Sequence, residues 1–327
     1  MNVGIIGAGL IGNKRAVALA NFKNDRILAV ADIDEQKARS LAKILGCEHT
    51  TDSKKIATNR EIDIVIVSTI NKYLAPLCLQ ALKAGKHVLC EKPLGVNTKE
   101  IAKCVAVAKR KKLIYKAGYN HRFHPAIIKA HELVDSGSIG KLMFIKSSYG
   151  HGARPNYHKE WRAKKSLSGG GELLDQGCHV LDLMLWFSKK KVTQVQASLG
   201  AKFWPISPLE DNAFVLLELG DASASFHTSW TQWKNEFVFE VYGKDGYLKV
   251  NGLGGSYGKE TLIFGKRIPG KVPIEKRYEF DGPDESWIQE WKNFKQAIKD
   301  PKKLLSPGSE SLEIIGIIEK IYTSKTS

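Results

Sequence analysis

The chain has 327 residues, 43% of them hydrophobic and 26% charged, a balance that excludes a disordered or membrane-embedded protein and, at this length, predicts about two domains. No apolar run approaches the roughly 20 residues of a membrane helix. A net charge of +16 brings nucleic acid, anionic lipid and acidic small molecules into consideration. The basic clusters Lys109-Arg110-Lys111-Lys112 and Lys189-Lys190-Lys191 fall at predicted helix ends, where cations complement the helix dipole. We therefore expect no nucleic-acid or membrane partner, and read the positive field as favouring an anionic cofactor.

From Met1 the chain runs directly into a strand with no leader pattern, so the expected location is cytoplasmic. Strands are predicted at 2–7, 27–32, 63–68, 87–90 and 113–118, and helices from Ile11, over 35–45, through 78–84 and over 98–111. Short strands apolar on both faces, such as Ile64-Val65-Ile66-Val67, separated by amphipathic helices, predict a parallel sheet covered on both sides. This is a doubly wound α/β domain spanning residues 1–121.

The second domain, 122–327, changes character. A helix at 125–134 and a strand at 141–149 precede a long irregular stretch, 150–168, of the kind that carries binding residues. After an apolar helix over 172–187 come strand-like runs near 192–199, 211–219, 222–230, 236–242, 246–250 and 260–264, then helices near 285–299 and 308–323. Turn signals such as Lys244-Asp245-Gly246 predict a large, mostly antiparallel, open sheet. With about six strands and helices for one face only, the bare face predicts a homo-oligomer, a dimer or tetramer built through this sheet.

Gly7-Ala8-Gly9-Leu10-Ile11-Gly12 follows an apolar strand and opens a helix, and Asp32 lies 20 residues beyond Gly12. Glycines there permit a tight turn and close approach of the backbone to a pyrophosphate, which the helix N-terminus attracts. Asp32 is placed to accept hydrogen bonds from the adenosine ribose and would repel a 2′-phosphate, favouring NAD over NADP. The competing reading is a turn that only packs strand on helix, with Asp32 capping the next helix.

Glu91-Lys92-Pro93 follows the buried strand at 87–90, at the carboxyl end of the sheet where doubly wound domains bind ligands. Lys92 can donate to a substrate hydroxyl and offset alkoxide charge, or it can be a solvated strand end. In the segment Gly169 to Asp182, Asp175 and His179 are four apart on a predicted helix, with Asp182 three further on. An imidazole oriented by a carboxylate suits a base for an alcohol proton. A salt-bridged stripe on a half-exposed helix would read the same way. Five irregularly spaced cysteines without a C-x-x-C pair argue against a disulfide framework, and no cluster of residues supports a metal site.

These motifs, together with Ala84-Gly85-Lys86-His87-Val88 leading into Glu91-Lys92-Pro93 and with Gly118-Tyr119-Asn120-His121-Arg122-Phe123, resemble the glucose-fructose oxidoreductase, inositol dehydrogenase and rhizopine-catabolism (Gfo/Idh/MocA) family over essentially the whole chain. The resemblance implies a Rossmann domain followed by an open-sheet domain, a nicotinamide cofactor, and hydride exchange with a secondary alcohol of a sugar, cyclitol or sugar derivative. It places the family's catalytic lysine on Lys92 and its aspartate and histidine on Asp175 and His179. Cofactor contacts are expected from Gly7, Gly9, Leu10, Ile11, Gly12, Asp32, Thr69, Asn71, Glu91 and Lys92. The segment Thr69-Ile70-Asn71-Lys72-Tyr73-Leu74 departs from the family's T-P-N-x-x-H pattern, lacking its proline and histidine and keeping Thr69 and Asn71.

Sugar recognition is expected from Lys92, Arg122, Tyr157, His158, Trp161, Arg162, Asp175 and His179, since aromatic faces pack on sugar C–H groups and arginines bind carboxylate or phosphate. A sugar nucleotide or uronic acid would suit the positive charge. Trp230 and Trp233 are read as sheet packing, with a sugar platform as the competing reading. Two rivals use the same fold: a glycosidase that oxidises its sugar transiently, and a non-catalytic NAD-binding regulator. Retention of Lys92, Asp175 and His179 argues against the regulator.

Overall fold

Residues 1–324 are described by a computed structural model. The chain divides into one unit of Met1–Tyr119, Ser166–Gly169 and Trp287–Ile315, and a second of Asn120–Lys165, Gly170–Ser286 and the residues from Gly316.

In the first unit, β1 (Asn2–Ile6), α1 (Leu10–Leu19), β2 (Arg26–Ala31), α2 (Glu35–Leu45), β3 (Glu48–Thr50), α3 (Ser53–Thr58), β4 (Ile64–Val67), α4 (Asn71–Lys83), β5 (His87–Glu91), α5 (Thr98–Lys111) and β6 (Tyr115–Gly118) follow one another. The strands form one parallel sheet in the order β3-β2-β1-β4-β5-β6. Val3, Ile5, Ile64, Ile66 and Leu89 are fully buried in a core with Ala16, Leu19 and Leu41 from the helices. Burial of each large aliphatic side chain contributes roughly 1.5–3 kcal/mol. The strand order reverses between β1 and β4, so the carboxyl ends of these strands open a crevice at the switch point.

Local signals set the helix ends. Asp34 caps α2 by accepting from the N–H groups of Gln36 and Lys37, and Asn97 caps α5 through Glu100 N–H. The basic run Lys109, Arg110 and Lys111 occupies the last turn of α5, as its dipole favours. β3 and α3 were not anticipated: three polar residues and a six-residue helix are too short for a hydrophobic period to register.

The second unit holds α6 (Pro125–Asp135), β7 (Leu142–Gly150), the short α7 (Lys165–Ser168, which straddles the division), α8 (Cys178–Ser188) and β8 (Gln194–Gly200). They are followed by β9 (Asn212–Leu219), β10 (Ala222–Ser229), β11 (Glu236–Gly243), β12 (Gly246–Asn251), β13 (Glu260–Lys266) and β14 (Ile274–Phe280). The sheet has eight strands rather than about six, in the order β14-β13-β12-β11-β7-β10-β9-β8, antiparallel except for the β7–β10 pair. β14, Ile-Glu-Lys-Arg-Tyr-Glu-Phe, escaped notice because it is an edge strand bearing charge on both faces, with no buried side to impose alternation.

One face of this sheet packs on α6 and α8, with Phe187 against Phe239 at 5.0 Å between ring centres. The other face carries a ring ladder of Phe144, Tyr242 and Tyr247 and the stacked pair Phe214–His227. A groove of about 720 Å³ crosses it, lined by Lys146, Ser148, Gln196, Phe214, Leu216 and His227 among others.

The final helices are α9 (Ser286–Lys299) and α10 (Gly308–Ser324). Trp291, Phe294 and Ala297 of α9 complete the core of the first unit, although they lie nearly 300 residues along the chain. Among the described residues no helix is long and apolar enough to cross a membrane, no cluster of ligating side chains could hold a metal, and no disulfide joins the cysteines.

Candidate active site

In the first unit the glycine turn leaves β1 with Gly7 at φ +105°, its N–H bonded to Ala31 O at 2.7 Å. A side chain at Gly12 would place Cβ 2.0 Å from Gly7 O, so the turn closes only without one. At Gly9 an added Cβ would meet nothing within 4 Å, which marks the open side of the loop. Asn13 braces the turn from inside, its amide donating to Ala8 O and Gly9 O at 3.0 and 2.9 Å. α1 starts at Leu10 with no side-chain cap and no acid in its first turn. The N–H groups of Leu10, Ile11 and Gly12 are therefore the ones a helix start leaves to an outside acceptor. This cradle fits a pyrophosphate.

Asp32 is tied to that turn: Oδ2 accepts from Ala8 N–H at 2.7 Å and Oδ1 from Asp34 N–H at 2.9 Å. Capping of α2 falls to Asp34, so the competing role for Asp32 is already filled. Beside it lies a cavity of about 390 Å³ lined by Ala8, Asn13, Asp34, Lys37, Ser40 and Ile44, among others.

Past β4, Ser68 Oγ donates to Gly7 O at 2.9 Å. Thr69 is half-buried and its hydroxyl turns to Ile70 O at 3.4 Å. Asn71 begins α4, buried, with its amide on Ser168 O at 2.9 Å. At the end of β5, Glu91 is buried beneath Arg15 and Lys92 is half-buried. The Lys92–Pro93 peptide is cis, and Pro93 O accepts from Ser311 Oγ at 3.2 Å. Burial pushes the Glu91 carboxyl above its usual range even with Arg15 beside it.

In the second unit the helix expected from Glu172 opens with a π turn, Leu173–Gly177, and becomes α-helical at Cys178. Such wide turns concentrate at functional sites. Asp175 lies in the wide turn, with Arg162 Nε 3.4 Å from Oδ2. Burial opposes the Arg162 charge, but Asp175, Tyr157 and Glu160 outweigh it and raise its pKa. His179 is buried in the first turn of α8, and its ring lies 4.0 Å from that of His121, tilted by 30°. His121 in turn meets Asn120 Oδ1 at 3.3 Å and the edges of Tyr149 and Phe237.

The sugar-contact candidates separate by exposure. Trp161, His158 and Arg162 are half-buried on the loop, with the Arg162 guanidinium over the Trp161 ring at 4.5 Å. Tyr157 is buried against Trp230 at 5.0 Å between ring centres, and burial pushes its hydroxyl far above the ordinary tyrosine range. Arg122 is also buried; it donates to both oxygens of Asp182 at 2.8 and 2.6 Å and lies over Trp186. Asp182, foreseen as one end of a polar stripe, is thus half of a buried pair. Trp230 packs in the interior as expected, whereas Trp233 is 67% exposed against Phe203.

Sequence reasoning overlooked Arg15 and gave no role to His121. Arg15 had a signal: a cation on the inward side of a helix otherwise lined with Ala and Leu needs a buried acid. Only the fold shows which acid that is.

Residues 1–119 match the family model described as oxidoreductase family, NAD-binding Rossmann fold, and residues 127–249 match the GFO/IDH/MocA C-terminal domain. Levoglucosan dehydrogenase of Pseudarthrobacter phenanthrenivorans is 31% identical over 194 residues, covering 56% of this chain and 50% of the relative, so the match spans about half the length of that protein. Inositol 2-dehydrogenase of Rhizobium meliloti is 24% identical over 98% of this chain and 96% of its own. The solved structure of levoglucosan dehydrogenase in complex with NADH and L-sorbose shares the fold with a TM-score of 0.89 at 22% identity, covering 99% of this chain and 96% of that one. With both domain models matched and the sheet orders described above, the chain belongs to the Gfo/Idh/MocA oxidoreductase family, whose first domain is an NAD-binding Rossmann fold.

Proposed function

We propose that this protein is an NAD-dependent dehydrogenase acting on a secondary alcohol of a sugar, cyclitol or sugar derivative. The observation that carries the reading is the glycine turn, open above Gly9 and joined through Ala8 to the Asp32 carboxylate. Leu10, Ile11 and Gly12 N–H groups hold the pyrophosphate, Asp32 accepts from the ribose hydroxyls, and Thr69, Asn71, Glu91 and Lys92 line the approach of the nicotinamide. Bound NAD supplies the hydride acceptor.

The chain's own part is to move one proton and shelter one charge. His179 takes the proton from the substrate hydroxyl, and Lys92 donates to the same oxygen as it gains alkoxide character. Asp175, with Arg162 beside it, orients His179 and balances the charge that His179 acquires. Trp161, His158 and Arg162 contact the sugar. Tyr157 and Arg122, both buried, act from behind by holding the loop and α8. In the family, relatives named for levoglucosan and inositol support a polyol of this class.

The open sheet face receives a second copy of this chain. Phe214 and Leu216, on β9 beside the edge strand β8, are exposed on this face, where a monomer would leave them to water.

A screen of sugars, cyclitols, uronates and sugar nucleotides with NAD and NADP, read by NADH absorbance on protein stripped of bound cofactor, tests the reading. Net NADH with a free sugar supports it. Cleavage of an aryl glycoside without net NADH, or no NAD binding at all, overturns it.

A further inference from the structure

Beneath the glycine turn lies a buried charge cluster within the first unit, of which the proposed chemistry uses only Glu91, beside the nicotinamide approach. Arg15, on α1 one turn beyond Gly12, is 1% exposed. Its Nε donates to Glu91 Oε1 at 2.7 Å, Nη2 forms an ion-pair contact with the same oxygen at 2.5 Å, and Nη1 donates to Glu290 of α9. The Trp287 ring covers the guanidinium at 4.4 Å. Lys116 stands behind Glu290 at 4.0 Å, held by Leu305 O at 2.5 Å and Ser306 Oγ at 2.8 Å. Two cations therefore face two carboxylates.

Stability alone gives little reason to keep this arrangement, because apolar side chains of similar volume usually replace a buried ion pair without loss. Its connections are what distinguish it. Arg15 is covalently part of the helix opened by the glycine turn, and its guanidinium is bonded to the residue that precedes Lys92. Glu91 is pinned twice, by Arg15 at the side chain and by Leu94 N–H, at 3.1 Å, on its carbonyl. The short turn carrying Lys92 and Pro93 is thus fastened at its base. Rigidity there sets where the Lys92 amine stands, and a misplacement of about 1 Å at a reacting group can cost about 100-fold in rate.

We propose that Arg15 is a positioning residue, which with Glu91 and Glu290 locks the Glu91-Lys92-Pro93 turn to the helix that starts the cofactor cradle. The proposal rests on the reading of Lys92 as the group that stabilises the alkoxide. Its test begins with the rate at which Lys92 is reductively methylated, followed by mass spectrometry of its peptide and with the exposed Lys37 as internal reference.

In Arg15→Met/Glu290→Gln, which removes one charge of each sign, we expect the Lys92 rate to change threefold or more while Lys37 does not. We expect kcat to fall about 10- to 100-fold with the NAD Kd within threefold, and Arg15→Lys to recover part of both effects. Glu290→Gln alone serves if the double variant does not fold. A Lys92 rate within threefold of wild type in a folded variant overturns the clamp, whatever the activity. A changed Lys92 rate alongside normal turnover of Lys92→Ala supports the clamp and overturns the catalytic reading of Lys92, so the two failures are distinct.

Discussion

Asp32 Oδ2 accepts a hydrogen bond of 2.7 Å from the main-chain N–H of Ala8, which joins the acid that follows β2 to the glycine turn that follows β1. The carboxylate is thereby fixed rather than left to rotate, which suits the ribose contact proposed for it. Hydrogen bonds to a charged group contribute about 1.5–3 kcal/mol, so Asp32→Ala should weaken NAD about 10- to 100-fold by calorimetry. NADP, whose phosphate the acid repels, should lose much less. Equal losses for both cofactors would count against the ribose role.

Gly9 and Gly12 make a paired prediction, because their surroundings are opposite. Cβ at Gly12 would overlap Gly7 O, whereas at Gly9 it would enter open space on an extended backbone that alanine accepts. Gly12→Ala should destabilise the protein by about 1–3 kcal/mol. Gly9→Ala should unfold near the wild-type temperature yet bind NAD more weakly, because the methyl group occupies the pyrophosphate approach. Thermal melts with and without NAD distinguish the two, and a Gly9→Ala protein with unchanged NAD affinity would remove the cradle from the argument for function.

Once the screen yields a substrate, His179→Ala and Lys92→Ala should each lower kcat by about 10²- to 10⁴-fold. His179→Ala should leave NAD affinity near wild type. Near-normal turnover in both variants would show that other groups handle the proton and the alkoxide.

Assembly through the open sheet predicts that Phe214→Glu combined with Leu216→Glu yields monomers. Both side chains are exposed, at 50% and 42%, so the monomer itself should fold normally. Light scattering on wild type and variant decides the matter, and a monomeric wild type at micromolar concentration would refute the sheet interface.

Asp25 gives a pH-dependent prediction. Trp291 Nε1 and Lys295 Nζ, both from α9, each lie 2.8 Å from its Oδ2. Burial raises its pKa, but the bonds to Lys295 and Trp291 outweigh burial and lower it below 3.8. A depressed folded-state value means the stabilisation is complete above the unfolded pKa and disappears as pH falls through the folded one. Asp25→Asn should cost about 1–3 kcal/mol at neutral pH, with the gap to wild type closing as pH falls below 3.8. A gap in chemical denaturation that stays constant down to pH 3 would show that the charge of Asp25 is not what holds α9.

Much of this protein is determined by local sequence. The apolar runs Ile64-Val65-Ile66-Val67 and His87 to Cys90 are buried on both faces, which only a covered parallel sheet allows, and the spacing from Gly12 to Asp32 follows from one strand-turn-helix-strand unit. The antiparallel strands of the second unit were legible wherever one face is buried and alternation is enforced. β14 was not, since an edge strand with both sides in water carries no such constraint.

Tertiary structure alone decided which charges meet. Arg15 pairs with Glu91 and Glu290 across 76 and 275 residues of chain, and Arg122 reaches Asp182 across 60. No sequence period encodes such pairings, because a buried cation requires only some carboxylate within hydrogen-bonding distance, and the partner is chosen by which strands and helices the fold brings side by side. The π turn around Asp175 belongs to the same class. Glycines, strands and caps are short-range choices that a sequence states directly, while ion pairs and ring contacts are long-range consequences of packing that become visible only once the chain has closed on itself.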